Sequence, residues 1–206
     1  MERPTSDKSF YRHVASKYRK VSRLRHLWYP DCRTIIPEMD LDDDLQILDV
    51  GCGNGRLMFT LAGFLPKCEF YAIDSSISAI KKCIRKNKND LIKFSLAAAE
   101  KLPFGDEYFD IITCTNTFHL LPQRVRAIDE MHRVLKPGGK MFLLEGIYRN
   151  DYKQKFDKIL RQTKFIRPQK KFLLQSAILN KSYLVIATRE HQNMARTSSM
   201  AELNEF

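Results

Sequence analysis

Apolar positions along the chain keep two alternating rhythms. From Phe10 to Trp28, the residues Phe10, Tyr11, Val14, Tyr18, Val21, Leu24 and Trp28 fall three or four apart, the spacing of one helix face, and Pro30 ends the run. After the acidic turn Asp40–Asp44, the apolar stretch Gln46–Val50 reads as a short buried strand stopped by Gly51. Asn54–Phe64 then reads as a helix with Leu57, Met58, Leu61 and Ala62 turned inward. The alternation repeats with a strand over Glu69–Asp74 and a helix over Ser76–Lys88, whose cationic end suits the negative pole of the helix dipole. Ile92–Ala97 and Phe109–Thr115 are further strands, joined by a loop with Pro103 and Gly105. The helix Pro122–Leu135 is stopped by Pro137, Gly138 and Gly139 before a fifth strand, Lys140–Gly146. Asp151–Phe165 is a basic amphipathic helix.

Strand followed by helix, several times over, predicts a parallel sheet. The alternation breaks at Lys171–Leu179 and Ser182–Arg189, two strand-like runs separated only by Asn180 and Lys181. So short a link permits a hairpin and no parallel crossover. The expected architecture is one Rossmann-like α/β domain, with a mostly parallel seven-stranded sheet, an antiparallel last hairpin and helices on both faces. Residues 1–40 form an amino-terminal helical arm, 41–190 the domain, and 191–206 a flexible tail without periodicity. A chain of 206 residues suits one domain better than two.

Charge sharpens this picture. The net charge is +11, concentrated in Lys8–Arg25, with seven basic and no acidic residues, and in Arg149–Lys171, with nine basic and two acidic. No apolar run approaches the roughly 20 residues of a membrane span, and the polar amino terminus carries no secretory pattern. Five scattered cysteines without a CxxC pair argue against disulfides and against a metal site, and fit a reducing cytoplasm.

The chemistry concentrates at Leu48–Gly55, LDVGCGNG, a strand running into a glycine-rich turn and then a helix. Gly51, Gly53 and Gly55 let the backbone turn tightly and approach a ligand. A dinucleotide fingerprint, GxGxxG, needs glycine where Arg56 stands. Asp74, at the end of the second strand, sits where an acid accepts hydrogen bonds from both ribose hydroxyls. A nucleoside without a pyrophosphate therefore fits better than NAD.

LDVGCGNG, the acid of YAID, EKLPFGDEYFDII and RVLKPGGKMFLLE, in this order, resemble the class I S-adenosylmethionine-dependent methyltransferases, closest to the ubiquinone and menaquinone biosynthesis branch. The likeness runs from Gln46 to Glu145. It implies that Gly51, Gly53 and Gly55, with Cys52 and Asn54 between them, pass under the methionine part of S-adenosyl-L-methionine. It also implies that Asp49 helps anchor the amino group, and that Asp74 and its neighbour Ser75 hold the ribose. Ala99 and Glu100 fall against the adenine, where the family's preceding acid is replaced by Ala98. Thr115 and Asn116 match the position beneath the sulfonium. His119 follows where the family often has histidine, and is the one candidate general base. The KPGG of Lys136–Gly139 reads as structural, and Cys52 lacks the partners of a nucleophile.

The implied reaction is methyl transfer to a small-molecule acceptor, quinone-, phenol- or amine-like, by in-line displacement. Orientation alone supplies roughly 7–11 kcal/mol in such reactions, so no catalytic triad is required. Phe10, Tyr11, Tyr18, Leu27, Trp28 and Tyr29 either line an acceptor pocket as a lid or pack the arm on the sheet. Two other functions remain open. The basic segments suit an RNA (tRNA) methyltransferase, although Thr115–Phe118 is not an NPPY-like tetrapeptide, and a non-catalytic partner protein is the third reading. The oligomeric state is not written in the sequence.

Overall fold

Seven strands build a single sheet: β1 (Gln46–Val50), β2 (Glu69–Asp74), β3 (Ile92–Leu96), β4 (Phe109–Thr115), β5 (Leu135–Ile147), β6 (Gln169–Leu174) and β7 (Lys181–Thr188). Their order is β3-β2-β1-β4-β5-β7-β6. β1 to β5 run parallel, and β7 is antiparallel to both β5 and β6. The computed structural model describes residues 35–88, 90–147, 152–163, 169–174 and 181–190. The expected arm helix with its aromatic residues, and the tail 191–206, lie outside the described residues.

Period-two alternation sends successive strand residues to opposite faces. Leu48, Val50, Ile112 and Cys114 pack beneath Ala127, Ile128 and Met131 of α3 (Arg124–Val134) and Phe156 and Leu160 of α4 (Tyr152–Leu160). Ile47, Ala72 and Ile111 face the other way, against Leu57, Met58 and Leu61 of α1 (Arg56–Ala62) and Ile80 of α2 (Ile77–Lys86). Among the described residues no helix is long and apolar enough to cross a membrane. Cys52, Cys68, Cys83 and Cys114 are buried and free.

β1, β2 and β4 keep the expected bounds, whereas three connections differ. The expected helix Pro122–Leu135 forms as α3 but starts at Arg124 and ends at Val134, with a 3-10 turn over Phe118–Leu120 before it and Leu135 already in β5. The expected hairpin is present, but its register pairs Leu174 with Lys181, so residues 175–180 link the strands, not Asn180 and Lys181 alone. Finally, KPGG does not precede β5 but lies inside it. Pairing with β4 slips between Phe109↔Leu135 and Ile111↔Lys140, which makes the motif a bulge. Gly138 takes φ 81° there. Its N–H donates to Arg189 O (2.7 Å), and the Arg189 N–H returns a bond to Gly139 O (3.0 Å).

The chain leaves β1 toward β2 on one side, while β4 flanks β1 on the other. This reversal opens a crevice at the carboxyl ends of β1 and β4, where open α/β sheets bind ligands.

A Cβ added at Gly139 would lie 2.8 Å from Lys136 O and 3.0 Å from Asp110 O, both backbone atoms with little room to move. Gly139→Ala is therefore expected to cost about 1–3 kcal/mol, lowering the thermal midpoint by roughly 2–10 °C. A midpoint equal to wild type would show that the bulge relaxes freely.

Candidate functional site

Three glycines with positive φ shape the turn after β1: Gly51 (75°), Gly53 (54°) and Gly55 (74°). The N–H groups of Gly51 and Cys52 both donate to Ile73 O, at 2.8 and 2.9 Å, tying the turn to the end of β2. Asp74 completes the link. Its Oδ2 accepts from the Gly53 N–H and its Oδ1 from the Ser76 N–H, each at 2.8 Å. Each oxygen keeps a further lone pair for a ligand hydroxyl.

The turn borders a cavity of about 610 Å³. It takes in Asp49, Gly51, Cys52, Gly53 and Asn54 from the end of β1, Asp74 and Ser75 from β2, Ala99 and Glu100 after β3, and Thr115 and Asn116 from β4. The structure thus brings together every expected cofactor-binding residue except Gly55. Gly55 precedes α1 in the left-handed conformation, where an added Cβ would meet the Phe59 ring at 2.8 Å and Cys83 Sγ at 3.1 Å. The other two glycines differ in what surrounds them. At Gly53 an added Cβ meets nothing within 4 Å, so that point of the backbone lies open. At Gly51 it would strike Thr117 Cγ2 at 2.1 Å.

Thr117 escaped the sequence reading. Its hydroxyl donates to Gly51 O (3.0 Å), joining the β4 loop to the glycine turn across 66 positions. Leu120, Leu121, Pro122 and the exposed Ala98 also line the cavity. A run of TNTFHLLP gives no local signal for this, since the contact depends on where the β4 loop folds back.

Asp49 is the buried charge of the site, only 1% exposed. Desolvation pushes its carboxyl up from 3.8 to about 7, the Thr113 hydroxyl bond opposes this, and the charge of Asp74 adds to it. Thr113 Oγ1 donates to Asp49 Oδ1 at 2.7 Å. A carboxyl so placed is poised to ionise when a cation enters the cavity. The Cys52 thiol is held protonated, raised by burial first and then by the Asp49 charge, which suits packing and not nucleophilic attack.

His119 does not border the cavity, although its neighbour Leu120 does. Its Nδ1 lies 2.8 Å from Oε2 of Glu145, a carboxylate with 1% exposure on β5. Glu145 Oε1 accepts from the Phe118 N–H at 2.7 Å, and Arg124 donates from Nε to Phe118 O (3.1 Å). Burial raises the Glu145 carboxyl above its ordinary value, with the His119 bond opposing. The 3-10 turn is therefore clamped from both sides, and Glu145 is a second residue that strand patterning alone did not single out.

Residues 48–143 match the family described as "Methyltransferase domain". A ubiquinone/menaquinone biosynthesis C-methyltransferase, UbiE, of Stutzerimonas stutzeri is 30% identical over 167 residues, covering 78% of this chain and 64% of that protein. A sterol 4-C-methyltransferase of Caenorhabditis elegans is 32% identical over 120 residues, covering 57% of this chain and 36% of that one. The chain thus spans less than two thirds of either relative. Among solved structures, a SAM-dependent methyltransferase from Aquifex aeolicus superposes with a TM-score of 0.67 at 21% identity, covering 84% of this chain and 97% of that one.

Burying Asp49 has a cost that depends on pH. Below about pH 4 the group is protonated whether folded or unfolded. Between about 4 and 7 the native state keeps a proton that the unfolded chain has released, so stability falls as pH rises, then levels off. Asp49→Asn still accepts from Thr113 and removes this cost. It is expected to stabilise the ligand-free protein by about 1–3 kcal/mol at pH 8, with little gain at pH 4. Thermal melts at both values check this; equal midpoints at pH 8 would mean that Asp49 is solvated.

Proposed function

This chain belongs to the class I S-adenosylmethionine-dependent methyltransferases, and from that premise we propose that it binds S-adenosyl-L-methionine in the β1–β4 crevice and methylates a small, largely apolar acceptor. The observation that carries the reading is Asp49, a buried carboxyl on the cavity wall whose side chain is bonded to the neutral Thr113 hydroxyl and shifted upward by burial and by Asp74. The cofactor's methionine end bears an ammonium of the required charge, and the open Gly53 leaves its backbone accessible beside Asp74.

In this reading the chain mainly holds and orients. Asp49 pairs with the ammonium, and Asp74 accepts from the ribose hydroxyls while keeping its two backbone donors. Cys52, Asn54 and Ser75 contribute the adjoining walls. Ala99 and Glu100 flank the base, with no acid at Ala98 to accept from its amino group. Thr115 and Asn116 support the sulfonium end, and Thr117 fixes their loop to Gly51. When bound, the cofactor supplies a methyl group already activated on sulfur, so alignment of the acceptor is the main demand.

A carbon or phenol acceptor must also lose a proton. His119, held at Nδ1 by Glu145, stands next to Leu120 of the cavity wall and not on the wall itself, so it serves as the base for an acceptor that extends past Leu120. Quinone and sterol C-methylation by the two relatives favours an apolar acceptor over RNA. Of the proposed arm 1–40, Ile35, Ile36 and Met39 pack in the core; for the remainder, a lid over the acceptor and packing on the sheet are the two readings that the deletion below separates. Buried, unpaired thiols favour a cytoplasmic setting.

Calorimetry tests the cofactor reading directly. S-adenosylhomocysteine is expected to bind and NADH is not; equal affinity for both, or none for either, overturns it. Asp74→Ala should weaken binding by roughly 1.5–3 kcal/mol, the range for lost charge-assisted hydrogen bonds. Affinity should rise from pH 6 to pH 8, with proton release at the lower value, because the cofactor's ammonium lowers the Asp49 carboxyl from about 7. A transfer assay against quinone precursors, phenols, sterols, amines and tRNA then ranks acceptors.

The arm is tested by deleting residues 1–29. Retained S-adenosylhomocysteine binding with lost transfer marks a lid. A far lower melting point marks core packing, and full activity rules out both.

A further inference from the structure

Among the described residues β3 ends the sheet, with no strand on its outer side. In a parallel ladder, alternate residues direct their peptide groups to the neighbouring strand. The Ala97 N–H donates to Asp74 O on β2 (3.2 Å), and the Asn87 side-chain amide donates to Ile92 O (2.7 Å). Odd-numbered residues therefore address β2, and the N–H and C=O of Phe94 and Leu96 point outward.

The same edge carries an unusual share of exposed apolar surface. Leu91 is 51% and Leu96 54% exposed, at the two ends of β3. On α2, Cys83 Sγ donates to Gly53 O (3.3 Å), so that flank faces the glycine turn. Ile77 (56%) and Ile84 (55%), two turns apart, lie on the other side of the buried Ile80, toward the open edge. Lys81 and Arg85 share this flank, and Lys88 follows in the loop; none is ion-paired among the described residues, and Asp90 is the one acid in the stretch 75–91.

We propose that the β3 edge and the outer flank of α2 receive an extended segment of a partner protein, rich in aliphatic and acidic residues, by strand addition. Each feature then has a counterpart. The free peptide groups of Phe94 and Leu96 bond the added backbone, the four aliphatic side chains cover its apolar residues, and Lys81, Arg85 and Lys88 meet its carboxylates. A second copy of this chain brings the same cations against themselves. A bilayer leaves the outward peptide groups unmatched by any strand, and the aliphatic row offers nucleic acid no stacking surface. The proposal is independent of methyl transfer, because none of these side chains borders the cofactor cavity.

The test uses the full chain and a short synthetic peptide of valines and glutamates, with a backbone N-methylated version as control. Fluorescence anisotropy should show binding of the first and about tenfold weaker binding of the second, since methylation removes strand pairing. Hydrogen exchange of the amides in 92–97 should slow with the first peptide alone. Leu96→Pro, which removes an outward N–H tolerably at an edge, and the double variant Ile84→Ser/Leu91→Ser should each weaken peptide binding about fivefold or more, leaving S-adenosylhomocysteine affinity unchanged. The proposal is overturned if the peptide fails to bind, if both peptides bind alike, if protection falls elsewhere, or if anionic phosphatidylglycerol vesicles bind this face and the peptide does not. Loss of S-adenosylhomocysteine binding in wild type would count against the cofactor reading and not against this one.

Discussion

One carboxylate organises the crevice. Asp74 accepts the Gly53 N–H with one oxygen and the Ser76 N–H with the other, so the turn after β1 and the start of α2 hang from a single side chain. Charge-assisted bonds of this kind are roughly twice as strong as neutral ones, and here they hold a backbone that three positive-φ glycines at alternate positions leave otherwise free. Ile73 O supports the same turn from below through Gly51 and Cys52. The position of the turn relative to β2 is thus set before any ligand arrives, which lowers the ordering cost of binding.

The opposite wall depends on a different kind of bond. Thr117 reaches Gly51 O, and Glu145 takes the Phe118 N–H and His119, so the loop after β4 is tied both to the glycine turn and to β5. Asn116, with φ 51°, bends the chain between these anchors, its N–H on Leu144 O (2.7 Å) and its Oδ1 accepting from Gly146 (3.2 Å). A residue other than glycine in that conformation is held there by its surroundings. The two walls are therefore coupled through Gly51, where space for a Cβ is already taken by Thr117.

How much of this was readable in the sequence follows from the range of each interaction. β1, β2 and β4 were legible to the residue because buried parallel strands are short apolar runs closed by glycine, aspartate or threonine-rich turns. Helix ends are less so: periodicity extends the second helix back to Ser76, which instead caps α2, accepting from Ala79. KPGG reads locally as a stop before β5 because nothing local announces that Gly138 donates to Arg189 O and Gly139 O accepts from the Arg189 N–H across the sheet. In the site, the glycines and Asp74 carry their meaning in local spacing. Thr117 and Glu145 acquire theirs only when β4 and β5 lie side by side, and Glu145 in particular reads as one polar residue at the end of an apolar strand.

Asp49 shows why the site resists a reading from stability alone. It interrupts an otherwise apolar strand between Leu48 and Val50, and its burial raises its carboxyl to about 7. A buried carboxyl with one hydroxyl partner is a poor choice for a core, where a leucine or an asparagine would pack at lower cost. Such violations of core patterning concentrate where function requires them. The neighbouring Cys52 follows the opposite logic, since the same low dielectric that strains Asp49 keeps the thiol neutral and inert. Two adjacent walls of one cavity are thereby differentiated by chemistry and not by exposure: one ready to meet a positive charge, the other closed to reaction with an electrophilic methyl donor.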